Sequence, residues 1–430
     1  MLKSITSGIR RVFKNDSADD DDNQGRFKEI FKWADENNIS EDRIPRDASE
    51  LMGLNRLDLS FRRLQTLPET LGELVLLTEL DLRGNELKAL PDSIGNLALL
   101  KRLDLKWNQL ESLPESFGNL TGLTKLELGY NKMTTLPEVI AKFSHITELD
   151  LSDNRLLRVP LFIGSFTHLT KLNLARNKLE DLPEVCANLN KLTRLNLSAN
   201  ELKKLPDFLA NYQRLAELDI SGNQLGVLPE YIGNFSELHH LDISGNMLTS
   251  VPESLGNLQN LSILDAHNNR LSSLPASFGK LSQLHRLSLA HNQLSLLPEP
   301  VTQMQRLAVL DLSHNRLMRL PTFICDFSRL NDLNLGYNEL TELPDDIGRL
   351  TELEILNVSN NDLGALPPSA THLSKLVRLD LSSTQIPYLP KFISNLNRLC
   401  ILDVRNTRMR VPLPLASRIE SNAVMAGYYK

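Results

Sequence analysis

Apolar residues return along this chain every 23 positions, from Leu57 to Leu402, in sixteen copies without an insertion or deletion. In the fullest copies the order is Leu-x-Leu-x-x-Asn-x-Leu-x-x-Leu-Pro-x-x-Ile-Gly-x-Leu-x-x-Leu, as at Leu80, Leu82, Asn85, Leu87, Leu90, Pro91, Ile94, Gly95, Leu97 and Leu100. The Leu-x-Leu part has period two. It predicts a short strand with Leu80 and Leu82 turned inward and Asp81 and Arg83 outward. One copy cannot bury its apolar face alone, so the pattern predicts a solenoid of stacked repeats rather than a set of ordinary domains.

The polar and special positions keep the same phase. Asn stands at every 23rd residue from Asn85 to Asn361, with Arg62 in that slot in the first copy and Thr384 and Thr407 in the last two. A side-chain amide has two donors and an acceptor, enough to satisfy the backbone where the chain turns out of the strand; stacked copies predict a buried ladder. A Pro column from Pro68 to Pro390 fixes φ and withholds a donor, which opens a return segment, and the Gly or Ala that follows lets neighbouring coils approach. The return side is too short for a long α-helix. Strands stack at about 4.8 Å while packed helices need about 8–10 Å. The expectation is an α/β repeat solenoid shaped as an open, curved horseshoe, with short parallel strands on the concave face and 3₁₀ or irregular segments on the convex face.

Residues 1–14 carry Lys3, Arg10, Arg11 and Lys14 without an acid, and Leu2, Ile5, Ile9, Val12 and Phe13 fall near helical spacing. This stretch reads as a disordered tail, a reversible membrane contact or a targeting segment. Asp16 and the run Asp19–Asp22 follow as a solvated linker, so residues 1–25 form an N-terminal tail. Phe27, Ile30, Phe31 and Ala34 predict an amphipathic helix ending near Asn37, and Asp47 with Glu50 is a capping pair ahead of a short turn closed by Gly53. Residues 26–56 thus read as a helical N-terminal cap, 57–406 as the repeats, and 407–430 as a C-terminal cap and tail. In the last segment Val411–Leu415 alternates Pro with apolar residues and Ile419–Met425 suits a final helical turn.

Composition narrows the class. A net charge of −6 argues against a nucleic-acid-binding body. Cys186, Cys325 and Cys400 form no paired framework, which favours a reducing, cytoplasmic setting. Sequons such as those at Asn119 and Asn196 are what the repeat grammar produces by itself, with no signal peptide ahead of them. No apolar run approaches the roughly 18 residues of a membrane span. No glycine-rich phosphate loop, HExxH or Ser-His-Asp order stands out, and no residues are left for an appended enzyme. A broad, shallow sheet also lacks the convergent groups of a catalytic pocket, so the chain reads as non-enzymatic and without a cofactor.

The LxxNxLxxLPxxIGxLxxL grammar of residues 57–402 resembles the Ras-group leucine-rich-repeat proteins: the scaffold of Ras–Raf signalling, plant intracellular relatives, Scribble-type polarity proteins and many bacterial proteins. The segment FKWADENNISEDRIPRD, from Phe31 to Asp47, is similar to the bacterial members. The resemblance implies a leucine-rich-repeat horseshoe whose variable concave positions hold a protein, a small GTPase or a phosphatase subunit among the partners of such families. The chain has neither the downstream peptide-binding domains of Scribble-type proteins nor the catalytic domain of bacterial leucine-rich-repeat ubiquitin ligases.

Function is expected at the outward strand positions. The residue between the two strand leucines is acidic in eleven of the sixteen copies, among them Asp58, Asp81, Asp104, Glu127 and Asp150, and two residues earlier runs a lane with Arg56, Arg102, Lys125, Lys171 and Arg194. Either these lanes neutralise one another across adjacent strands, or the acidic one steers a basic partner. Trp107 and Tyr130 precede the Asn in successive copies, Phe61 stands two copies before Trp107, and Arg83, Arg102, Lys106 and Lys125 surround them. Exposed Trp, Tyr and Arg together have the composition of an interface hot spot, while the alternative lays Trp107 flat over the strand ends as partial core. The candidate partner-binding residues are therefore Phe61, Arg83, Arg102, Lys106, Trp107, Lys125, Glu127, Tyr130 and Asp150. A second spot holds His291 and His314 in one lane of adjacent copies, near Asp265 and Asp311; they read as solvated side chains, a pH-responsive pair or a metal site. The function expected is that of an intracellular, monomeric scaffold gripping a folded protein in signalling. The alternative is a bacterial effector that binds a host protein, with residues 1–25 as its export segment.

Overall fold

The computed structural model describes residues 24–298 and 304–409. The amphipathic reading of residues 1–14, the run Asp19–Asp22 and the turns expected at Val411–Leu415 and Ile419–Met425 lie outside the described residues. The chain forms two compact units, one ending at Lys178 and one beginning at Leu179.

The first unit opens with helix α1 (Lys28–Glu36) and the short helix α2 (Ala48–Met52). Phe27, Ile30 and Ala34, at i, i+3 and i+7, are buried along one face. The Asp47 carboxylate accepts the Glu50 N–H at 2.8 Å and so caps α2. Six strands follow: β1 (Arg56–Asp58), β2 (Glu79–Asp81), β3 (Arg102–Asp104), β4 (Lys125–Glu127), β5 (Glu148–Asp150) and β6 (Lys171–Asn173). Each pairs in parallel with the next at a shift of one repeat, Leu57 opposite Leu80 and Leu80 opposite Leu103. The second unit repeats this arrangement from β7 (Arg194–Asn196) to β16 (Ile401–Asp403), again with parallel neighbours in sequence order.

The strands are shorter than the Leu-x-Leu pattern predicts. Only the first leucine is inside the three-residue strand; Leu82, Leu105 and Leu128 lie just past its end, although all three are buried. The cause is the residue between them. Asp81 Oδ1 accepts the N–H of Arg83 at 3.1 Å and Asp104 Oδ1 that of Lys106 at 3.0 Å, which turns the chain out of the sheet.

The asparagine column lies directly after this turn and is buried at every position except Asn338, which is half-buried. Asn131 accepts the Leu110 N–H at 2.9 Å and donates to Leu105 O and Leu128 O at 3.0 Å and to Gly129 O at 3.2 Å. Each amide thus ties its own turn to the turn of the preceding repeat, and the same set recurs at Asn108, Asn154 and Asn246. On the far side Pro68, Pro91 and Pro114 open 3₁₀ turns at Glu69–Glu73, Asp92–Asn96 and Glu115–Asn119. These turns touch. A Cβ on Gly72 or Gly95 would stand 2.2 Å from the carbonyl oxygen of Ser93 or Ser116 in the next repeat, and one on Gly348 only 2.0 Å from that of Ser369. Only glycine fits there.

Candidate functional site

The residue just before each ladder position, whether that position holds Asn, Arg62, Thr384 or Thr407, sits in the left-handed region, with φ of +55° at Phe61, +56° at Trp107 and +55° at Tyr130. That conformation suits Gly, Asn or Asp and crowds a bulky side chain. The column agrees in part: it also contains Gly84, Asp153, Gly222, Gly245, Asn268, Asn360 and Asn406. The three aromatics are therefore not what the backbone prefers.

They form one row. The Phe61 and Trp107 rings have centroids 5.8 Å apart, and Trp107 meets Tyr130 edge-on at 5.6 Å and 70°. Phe61 reaches past an intervening repeat because Gly84 has no side chain: a Cβ there would lie 2.3 Å from the Phe61 ring. Trp107 does not lie flat as core. It is 46% exposed, between Phe61 at 59% and Tyr130 at 44%. The Arg83 guanidinium stands over the Phe61 ring at 5.8 Å from its centroid.

Beside the row lies a basin of about 750 Å³, reaching from Asp42 and Arg43, between α1 and α2, across β1 to β4. Arg83, Arg102, Lys106, Lys125 and Glu127 line it, whereas Phe61, Trp107, Tyr130 and Asp150 do not. Its charges are largely matched. Lys106 pairs with Glu127 and lies 4.0 Å from Asp150; Lys125 lies 2.6 Å from Glu127 and 3.3 Å from Glu148. Arg56 takes Glu79 at 2.5 Å, and Arg102 is 4.0 Å from the same carboxylate. Much of the balancing acid is thus in the basic lane itself, one strand away, rather than in the acidic lane beside it. Burial works to raise the Glu127 carboxyl, but Lys106 and Lys125 together hold it below the usual range. Burial also pushes Asp104 up to about 6, with the Glu127 charge adding to the effect.

The acidic lane has a structural occupation that the sequence reading missed. Asp150, Asp219, Asp242 and Asp311 each accept the backbone N–H two residues on, at 2.9–3.0 Å. Asn173, Asn196 and Asn357 do the same in their own repeats. The signal was present in the column, where Asp alternates with Asn: the geometry asks for a short acceptor, not a charge. Glu127 departs from this rule, being one methylene longer, and it binds the two lysines instead.

In the second unit, His291, His314 and Tyr337 occupy the left-handed column of three successive repeats and stack face to face, with centroids 3.9 and 4.1 Å apart. Burial and the neighbouring His291 lower the His314 pKa. His267 Nδ1 contacts Asp265 Oδ1 at 2.6 Å. Among the described residues no three His, Cys, Asp or Glu side chains converge as a metal site would require. Likewise, no helix among the described residues is long and apolar enough to cross a membrane.

Known proteins share this architecture. The family description "Leucine-rich repeat region" matches residues 36–151, 226–324 and 322–412, and two further leucine-rich repeat descriptions match 167–225 and 144–187. A leucine-rich repeat protein of Leptospira interrogans is 36% identical, superposes with a TM-score of 0.80, and is matched over 86% of this chain and 94% of its own. The plant peptide hormone receptor RGFR1, solved with RGF2, is 29% identical at a TM-score of 0.61 over 84% of this chain and 68% of its own. The functional domain of InlJ from Listeria monocytogenes is 25% identical at a TM-score of 0.65 over 76% and 68%. No curated protein sequence matches the chain.

Proposed function

Because the chain belongs to the leucine-rich repeat family, we propose that it is a non-enzymatic module that binds a protein partner on the sheet face of its first unit. The observation that carries this reading is the row Phe61–Trp107–Tyr130. Three aromatic side chains occupy left-handed positions where Gly or Asn is easier, and they stay about half exposed while packing on one another. Strain kept at a surface without a gain in burial points to use. Similar solenoids solved with peptides, RGFR1 with RGF2 and HAESA with IDA and SERK1, support a protein or peptide as the kind of ligand.

The setting we infer is intracellular. The thiols support it: Cys186, Cys325 and Cys400 are all free, and burial pushes the first up to about 12 and the second to about 11. Likeness to the Leptospira protein favours a bacterial origin, and with it a second reading in which the partner belongs to a host cell.

The test is affinity capture with full-length protein, using Trp107→Ala and Tyr130→Ala against Lys142→Ala, an exposed change in the 3₁₀ turn Glu138–Lys142. Circular dichroism verifies that each variant is folded. The partner should be retained by Lys142→Ala and lost, by about tenfold or more in affinity, with either aromatic variant. Loss with Lys142→Ala and retention with Trp107→Ala would overturn the assignment.

A further inference from the structure

A partner on the aromatic row meets the charge left over once the sheet's own pairs have formed. On the basin side little remains. Arg83 faces Asp81 at 3.3 Å, Lys106 and Lys125 share Glu127, and the lane aspartates hold backbone N–H groups. On the other side of the row runs the residue that follows each ladder position: Arg63, Glu86, Gln109, Lys132 and Arg155. Backbone hydrogen bonds hold them in register, Glu86 N–H to Leu64 O at 2.8 Å and Gln109, Lys132 and Arg155 N–H to Leu87, Leu110 and Met133 O at 2.9 Å.

This edge is not balanced. Its one acid, Glu86, receives Gln65 Nε2 at 3.4 Å, and Lys132 Nζ donates to the neutral Gln109 Oε1 at 3.0 Å. Among the described residues neither Arg63, Lys132 nor Arg155 has a carboxylate within ion-pair distance, whereas the cations on the basin side do. Repeats stack at about 4.8 Å, so the three cations are spread over roughly 20 Å along the flank of the aromatics.

We propose that this edge and the row together bind an acidic segment of a protein partner, its carboxylates along Arg63, Lys132 and Arg155 and an apolar or aromatic anchor against Trp107. The proposal rests on the reading of the row as the binding surface and adds the partner's charge to it. It reverses the polarity suggested by the acidic column, whose carboxylates are taken up by turn N–H groups and lysines. Arginine recognises carboxylates through paired donors, and a line of uncompensated cations steers an acidic chain into register.

The test is selection of a random peptide library on full-length protein, followed by affinity measurement of the enriched peptides. Enriched sequences should be rich in Asp and Glu around an apolar residue and should lose binding to Trp107→Ala. The triple change Arg63→Glu, Lys132→Glu and Arg155→Glu should weaken them by about tenfold or more, and high salt should weaken them too. Enrichment of basic or neutral peptides overturns the proposal, as does affinity that ignores the charge reversal or a selection that yields nothing dependent on Trp107. If Trp107→Ala abolishes binding while the charge reversal leaves it intact, the row survives as the surface and the acidic partner does not. If peptides bind regardless of both changes, both readings fall.

Discussion

Replacing one ladder asparagine at a time tests whether the amides hold the repeats in the way their geometry implies. Asn131→Ala removes four hydrogen bonds, yet three of the partners keep another. Leu105 O still receives Asn108 Nδ2 at 3.1 Å, Leu128 O receives Asn154 Nδ2 at 2.9 Å, and Gly129 O receives the Trp107 N–H at 3.1 Å. Only the Leu110 N–H is stranded, and one buried unsatisfied amide costs about 1–3 kcal/mol. Asn85→Ala is a different case because Arg62 fills the slot before it. Asn85 Oδ1 accepts both the Arg62 and the Leu64 N–H at 3.0 Å, and its Nδ2 donates to Leu59 O at 2.9 Å, an oxygen that no earlier amide serves. Two N–H groups and a carbonyl are then left without partners, so the expected cost rises to about 3–5 kcal/mol. Urea unfolding gives the totals, and hydrogen exchange at the Leu64 and Leu110 amides localises them, since a repeat array need not unfold in one step. Equal costs for the two variants, or a Leu110 amide still protected in Asn131→Ala, would refute the reasoning.

Gly95→Ala should destabilise by about 1–3 kcal/mol, since the new methyl would have to displace the Ser116 carbonyl, whereas Gly226→Ala and Gly364→Ala have open space around the added Cβ and should leave the melting temperature unchanged or slightly higher. Asp104→Asn keeps the acceptor for the Lys106 N–H and removes a carboxylate raised from 3.8 to about 6. A raised carboxyl stabilises fully below 3.8 and loses that contribution as pH rises through about 6. The variant should therefore exceed wild type by about 1 kcal/mol near pH 7, after discounting for solvent screening, and lose the advantage toward pH 4; denaturant midpoints across that range that stay parallel would contradict it. Thr384 donates only to Leu381 O, at 2.7 Å, where an asparagine would also reach Leu363 N–H and Val358 O; Thr384→Asn should add about 1 kcal/mol, and an unchanged midpoint would count against the ladder.

Strands, ladder and 3₁₀ turns were legible because a strict period lets one argument about one repeat serve for all of them. Leu80 and Asn85 needed only their periodicity and donor count. The site was less legible, because its geometry depends on backbone signs and on empty space. Nothing about Phe61 and Trp107 as letters says that they touch across a repeat; that follows from Gly84 between them. The left-handed φ of their column had a signature, the recurrence of Gly, Asn and Asp at Gly84, Asp153, Gly222, Gly245 and Asn268, but it shows only when the column is read as a backbone position instead of a binding lane. The acidic column misled for the opposite reason. Eleven acids looked like a field, yet their exchange with Asn173 and Asn196 marks an acceptor. Arg63 and Lys132 lie off the strand face, so the period-two pattern does not mark them, and their significance appears only after the pairs on that face are subtracted.

The contact between Gly72, Gly95, Gly233, Gly256 or Gly348 and the serine of the following repeat makes successive repeats unequal as neighbours. Where Gly118 is followed by Val139 instead of serine, the same gap widens to 3.0 Å, so the fit is specific to each junction. Such an array does not behave as a string of interchangeable cassettes. A duplication or deletion of one whole repeat keeps the reading phase and the strand register but creates a new junction, and it survives only if the glycine side and the serine side still correspond. The history of the chain should therefore be written in linked exchanges between residues about one repeat apart on its outer turns, a correlation that a change in either residue alone would erase.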